Sequence, residues 1–177
     1  MMSARMDLAF SFRMFRRLVF LLLSVFLLPL CALGATTLDF DGDGIADIGV
    51  YCPTNGEWTI SKSQDGSWST NYSGGACTKP VAGDFDGDDL CDFGTYCTTS
   101  GAWHISLSTG GDVTNGFGVA GSFPVTGDFD GDSKVDYGCY FPPDGAWSIF
   151  LSSSSSLWST NHFGCAGTIS VVGDFDG

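Results

Sequence analysis

The chain has 177 residues and carries 20 acidic against 7 basic residues, a net charge of −13. A surface this acidic repels nucleic acid and anionic membranes and attracts cations, which excludes the first two as partners. With 15 Phe, 5 Trp and 5 Tyr the chain has the material for a packed core, so it is not a disordered acidic tail.

The N-terminus reads as a secretory signal peptide over residues 1–34. Arg13, Arg16 and Arg17 precede an apolar run from Leu18 to Leu30, and Ala32-Leu33-Gly34 supplies small residues before Ala35. The run is short for a membrane span of about 20 residues. Cleavage leaves residues 35–177, with no membrane span, secreted or held at the cell surface. The alternatives are an uncleaved anchor and a lipid anchor at Cys31, where Leu30 is bulkier than such sites usually accept. Beyond residue 34 the basic residues are Lys62, Lys79 and Lys134 alone. Cys52, Cys77, Cys91, Cys97, Cys139 and Cys165 also remain. An even set in an exported chain implies disulfides, with the pairing left open.

Self-similarity dominates the rest of the chain. Asp-Phe-Asp-Gly-Asp begins at Asp39, Asp84 and Asp128, and Asp-Phe-Asp-Gly begins again at Asp174. A period of about 45 residues is that of a propeller-like array. It divides the chain into 39–83, 84–127, 128–173 and a partial unit 174–177. Trp58, Trp103 and Trp147 keep the same offset from each motif, inside the alternating segments Glu57-Trp-Thr-Ile-Ser, Ala102-Trp-His-Ile-Ser and Ala146-Trp-Ser-Ile-Phe. That fixed offset predicts packing between units. Thr54-Asn-Gly, Thr99-Ser-Gly and Pro143-Asp-Gly are turn signals ahead of them. In the second unit strands are expected near 80–85, 90–97, 102–108 and 112–117. The fold class is all-β, with propeller-type blades of four antiparallel strands. Closed propellers have about four to eight blades, and three units plus the start of a fourth do not reach that number. Three readings are open: a longer protein with further C-terminal blades, self-association of three-bladed copies to close the ring, or an open array with exposed edges.

The loops place carboxylates at positions 1, 3, 5 and 9. They are Asp39, Asp41, Asp43 and Asp47; Asp84, Asp86, Asp88 and Asp92; and Asp128, Asp130, Asp132 and Asp136. Asp174 and Asp176 open a fourth set. Calcium takes six to eight oxygen ligands, several of them anionic, and alternate residues of a tight loop can converge on it. Position 7 (Ile45, Leu90 and Lys134) would add a backbone carbonyl, which leaves its side chain free to vary. Carboxylates crowded this closely repel one another unless a cation sits among them. An EF-hand is excluded, because position 12 is Val50, Thr95 and Cys139 and strand-like sequence flanks the loops.

The loops, the Val-x-Gly-Asp-Phe-Asp-Gly-Asp lead-in from Val81 and Val125, and Phe117-Gly118 with Phe163-Gly164 resemble FG-GAP/VCBS repeats. These are the repeats of the integrin alpha-chain propeller and of many secreted bacterial proteins. The resemblance covers about 38–177. It implies a propeller with calcium (Ca2+) in its hairpin loops and a role in cell adhesion or ligand binding. Asp89 and Ser133 depart from it at position 6, where Gly44 is the usual residue and relieves a strained turn.

Trp68 and Trp158 lie in less regular segments and are candidates for an exposed ligand-binding surface. In a hairpin built on the second loop, the segment before Val81 runs beside the end of the next strand. This predicts a Cys77–Cys97 disulfide, and by the same offset Cys165 needs a partner beyond Gly177. Ser152 to Ser156 read as a flexible low-complexity loop. Glu57 is the only Glu, the Asp residues are committed to metal, and no nucleophile has a recognisable base, so no enzyme activity is expected. The first functional reading is a calcium-stabilised module binding a carbohydrate or protein ligand. The alternative is an accessory domain or fragment of a larger secreted carbohydrate-active enzyme.

Overall fold

The computed structural model describes residues 38–154, 156–173 and 175, with residues 156–160 described by their backbone. The expected signal peptide at 1–34, the Trp158 side chain, and Asp174 and Asp176 lie outside the described residues. Eleven strands and no helix occur among those described. No described helix is therefore long and apolar enough to cross a membrane.

The strands form three antiparallel sheets. The first holds β1 (Ile48–Cys52), β2 (Glu57–Ser61) and β3 (Trp68–Tyr72) in that order. The second is β4 (Thr78–Gly83), β5 (Asp92–Cys97), β6 (Ala102–Ser106) and β7 (Asp112–Gly116). The third is β8 (Phe123–Gly127), β9 (Asp136–Phe141), β10 (Ala146–Leu151) and β11 (Ser156–His162). Four strands in the second and third sheets match the expectation. In the second sheet the limits differ by about two residues, because Asp84 and Phe85 already turn into the loop, Leu90 and Cys91 still belong to it, and Leu107 and Ser108 turn after β6. The sheets are also out of phase with the sequence units: β4 and β8 precede the aspartate motif but pair with the strand that comes after it.

Each middle hairpin closes the same way. Gly56 donates its N–H to Cys52, Gly101 to Cys97 and Gly145 to Phe141. All three glycines have φ between 72° and 75°. A Cβ on Gly101 would lie 2.5 Å from the Gly118 backbone, and one on Gly56 2.7 Å from that of Gly74, so only glycine fits.

Alternation along the strands builds the core. Trp58 and Ile60 on β2, and Trp103 and Ile105 on β6, are buried, while their neighbours are not. This face carries the packing from sheet to sheet. Trp58 meets Phe93 of the second sheet at 5.9 Å, and Trp103 meets Tyr137 of the third edge-on at 5.3 Å. Phe85, the aromatic residue of the second motif, stacks on Tyr137 at 5.0 Å. Trp147 is half-buried, packed against a smaller cluster of Val125, Tyr140 and Ile149.

A hydroxyl contact recurs from each sheet to the segment that follows it in the chain. Tyr51 bonds Thr78, Tyr96 bonds Ser122, and Tyr140 bonds Thr168. In each case the Ser or Thr hydroxyl also donates to a carbonyl three residues back: Gly75, Val119 or Cys165.

Cys77 and Cys97 lie at disulfide distance, with Cα atoms 5.2 Å apart, as the hairpin geometry predicts. Among the described residues no second disulfide is formed, and Cys52, Cys91, Cys139 and Cys165 are free. Cys91 and Cys139 are buried, and burial pushes the Cys91 thiol up to about 12.

Candidate metal centre

The second and third aspartate loops link the first strand of a sheet to the second (β4 to β5 and β8 to β9), the first leads into β1, and the three stand side by side. Cys91 donates its N–H to the Asp39 carbonyl, and Val135 donates to that of Asp84, both at 2.7 Å. Each of these two bonds ties a loop to the next through backbone groups.

The first aspartate organises the turn. Asp39 Oδ1 accepts the N–H of Gly42 at 2.7 Å, and Oδ2 that of Gly44 at 2.7 Å. Asp84 does the same with Gly87 and Asp89, and Asp128 with Gly131 and Ser133. Wrapping the chain around one carboxylate forces position 6 into the left-handed region. Gly44 takes φ 79° freely, while Asp89 at 68° and Ser133 at 71° are held there.

The ninth position is a buried staple. Asp92 and Asp136 are fully buried and Asp47 nearly so. Asp92 Oδ2 accepts the Phe85 N–H at 2.8 Å and Oδ1 the Ser108 N–H at 2.7 Å. Asp136 holds Phe129 and Ser152, and Asp47 holds Phe40 and Ser63, at the same distances. Burial pushes the Asp92 carboxyl above its ordinary value, against the pull of these two donors.

A second wall comes from the turns after β2, β6 and β10. The Ser63 hydroxyl donates to Asp43 at 3.0 Å, Ser108 to Asp88 at 2.6 Å, and Ser152 to Asp132 at 2.9 Å. The residue after each serine reaches position 3: Thr109 donates to Asp86 and Ser153 to Asp130, both at 2.5 Å, while Gln64 gives Asp41 its N–H at 3.3 Å. The Ser108 hydroxyl, with lesser help from backbone donors, holds Asp88 below its ordinary value. These serines were legible in the sequence, since they keep one offset from their motifs as the tryptophans do. Within the run Ser152 to Ser156, expected as a flexible loop, the hydroxyls of Ser152 and Ser153 grip the third aspartate loop.

Carboxylate oxygens converge in every loop. One oxygen each from Asp39, Asp41 and Asp43 lie within 4.8 Å of one another, and so do those of Asp84, Asp86 and Asp92, and of Asp128, Asp130 and Asp136. Asp47, Asp88 and Asp132 fall outside these close trios. Such all-oxygen, anionic groups could hold a hard cation. In the second loop Asp86 Oδ1 is buried without a hydrogen-bond partner. A desolvated, unsatisfied carboxylate oxygen is costly unless something positive meets it.

The position-7 residues have a role beyond their backbone. Leu90 comes within 3.0 Å of where a Cβ would stand on Gly42, and Lys134 covers Gly87 in the same way. The Lys134 ammonium also donates to the Asp86 carbonyl at 2.7 Å. Each of these two side chains therefore seals the preceding loop, so its identity is not free. Position 12 falls in mid-strand, with Thr95 and Cys139 buried.

Of the ligand-binding candidates, Trp68 is 76% exposed on the edge strand β3, and Tyr72 at the other end of that strand is 68% exposed. No family model, no curated protein and no solved structure matches this chain.

Proposed function

We propose that this chain is a secreted, non-catalytic β-propeller module of the FG-GAP/VCBS type, stabilised by calcium, that binds a carbohydrate or protein ligand. The observation that carries the reading is the buried, unpartnered Asp86 oxygen inside a trio of carboxylates. The trio's residues fit a calcium ion: Asp84, Asp86 and Asp92 offer only hard oxygen donors. In the third loop Asp128, Asp130 and Asp136 would serve, and in the first Asp39, Asp41 and Asp43. Calcium would neutralise the mutual repulsion of these groups and stiffen each loop.

The ligand surface is read from β3. Trp68 and Tyr72 present two exposed aromatic faces on one side of a strand, and such faces stack on sugar rings or pack at protein interfaces.

The test is thermal unfolding of the full chain in calcium and again in excess chelator. A ligand that binds only the folded state raises the midpoint with its concentration. A calcium-specific rise, absent with magnesium, is expected. Equal midpoints in both buffers would reduce the loops to ordinary aspartate-glycine turns. A glycan array with wild type and Trp68→Ala then decides between sugar and protein ligands.

A further inference from the structure

Among the described residues the first sheet has an open edge at β1. In the second and third sheets a first strand lies against the second strand in one register: Val81↔Gly94, Ala82↔Phe93 and Gly83↔Asp92, then Val125↔Gly138, Thr126↔Tyr137 and Gly127↔Asp136. In the first sheet β1 pairs with β2 alone among the described residues. Ile48 and Val50 are 73% and 63% exposed.

A strand of the matching kind stands unused elsewhere. Residues 168–173, Thr-Ile-Ser-Val-Val-Gly, correspond to Thr-Lys-Pro-Val-Ala-Gly at 78–83 and Ser-Phe-Pro-Val-Thr-Gly at 122–127. Thr168 takes the Tyr140 hydroxyl as Thr78 and Ser122 take theirs. Val172 lies against Gly127 of β8, and Thr168, Ile169 and Ser170 line one cavity with Phe123 and Pro124 of the same strand. No described strand includes it. Ile169 is 88% exposed and Val171 71%. Ser170 replaces Pro80 and Pro124, which restores an N–H to that position.

We propose that residues 168–173 of one copy pair with β1 of a second copy, in the register Val171↔Gly49, Val172↔Ile48 and Gly173↔Asp47. The junction repeats the packing already present inside the chain. Ile48 stands where Phe93 and Tyr137 stand, and Trp147 where Trp58 and Trp103 stand, so the docked copies bring Ile48 onto the half-buried Trp147. The contact is head-to-tail, and such contacts either close into rings or run on as filaments. Two copies of the described residues give six sheets, within the range of about four to eight that closed propellers adopt, and a closed pair is the assembly proposed.

Native mass spectrometry of the full chain in calcium, at micromolar concentration, is expected to give twice the chain mass; a monomer overturns the proposal. The register is tested with Ile48→Cys and Val172→Cys together in a Cys52→Ser, Cys165→Ser background, since directly opposed residues of an antiparallel pair are at bridging distance. Light and heavy isotope copies are mixed, denatured, refolded and oxidised. Cross-linked peptides joining one light and one heavy copy support the junction. Links within single copies only, or none, mean that the edge is filled by the chain's own residues or by another partner, and overturn it. Val171→Lys is mostly exposed in a single copy and is expected to abolish the dimer with the near-UV circular dichroism unchanged; a persisting dimer also overturns the proposal.

Discussion

Ser108 gives its backbone N–H to the Asp92 carboxylate at 2.7 Å, across 16 residues of sequence. This bond closes the second aspartate loop against the turn that comes after β6. It separates two roles that spacing alone merges. Asp92 spends both oxygens on backbone donors, whereas Asp86 keeps one buried oxygen free. The same chemical change at the two positions should therefore give different results. Asp92→Asn aims an amide at an N–H donor and is expected to cost about 2–3 kcal/mol already in chelator, with a further loss in calcium because its carboxylate also belongs to the trio. Asp86→Asn is expected to erase the calcium-dependent part of the stability and leave the chelator value nearly unchanged. Urea denaturation of both variants in both buffers checks this. Equal calcium dependence in Asp86→Asn and wild type would remove Asp86 from the ligand set.

Position 6 offers a gain of stability. Asp89 and Ser133 sit in the left-handed region that Gly44 occupies in the first loop. A non-glycine residue there costs about 1–2 kcal/mol, less for Asp, whose short polar side chain tolerates the conformation. Both side chains are exposed, so removing them opens no cavity. Ser133→Gly should stabilise by about 1 kcal/mol, and Asp89→Gly by less. The order of the two denaturation midpoints is the measurement, and Gly44→Ala should move the other way.

Much of this arrangement could be read from residue spacing. The motif period located three loops, the tryptophan offset located the packing face, and the hairpin around the second loop located Cys77 beside Cys97. Other parts depend on three-dimensional closure. Spacing shows that Asp92 belongs to the loop, but not that its oxygens face backbone donors. Ser108 shares an offset with Ser63 and Ser152, yet a serine in a turn has many uses until its partner is known. Leu90 and Lys134 look interchangeable in sequence because their contacts lie on the preceding loop, one period away. Trp147 matches Trp58 and Trp103 in sequence, but burial depends on the sheet beside it, and its own offset carries no information about that neighbour.

The tyrosine latches should differ in weight. Tyr96 and Ser122 are both fully buried, whereas Tyr51 and Thr78 are half-exposed. Burial also pushes the Tyr96 hydroxyl up to about 12, so it remains a neutral donor across the usable pH range. Tyr96→Phe leaves a buried serine short of one partner and is expected to cost about 1–2 kcal/mol. Tyr51→Phe should cost clearly less, since water replaces the lost bond. Chemical denaturation of the two variants side by side gives the comparison, and equal losses would mean that the latch acts through packing of the ring rather than through its hydroxyl.

The Cys77–Cys97 pair joins β4 to the end of β5 across 20 residues. A cross-link closing a loop of this size removes unfolded-state entropy worth about 3 kcal/mol. Cys97→Ser should lower stability by about that amount in calcium, because the metal loops are at the other end of the β4–β5 pair. In chelator the variant should lose cooperativity as well, since the link between these two strands then rests on the ladder and on Asp92. The comparison of wild type and Cys97→Ser, each with and without calcium, forms a double cycle. A coupling near zero shows the two ends of the pair acting independently, and a large coupling shows the disulfide setting the geometry of the Asp84 loop.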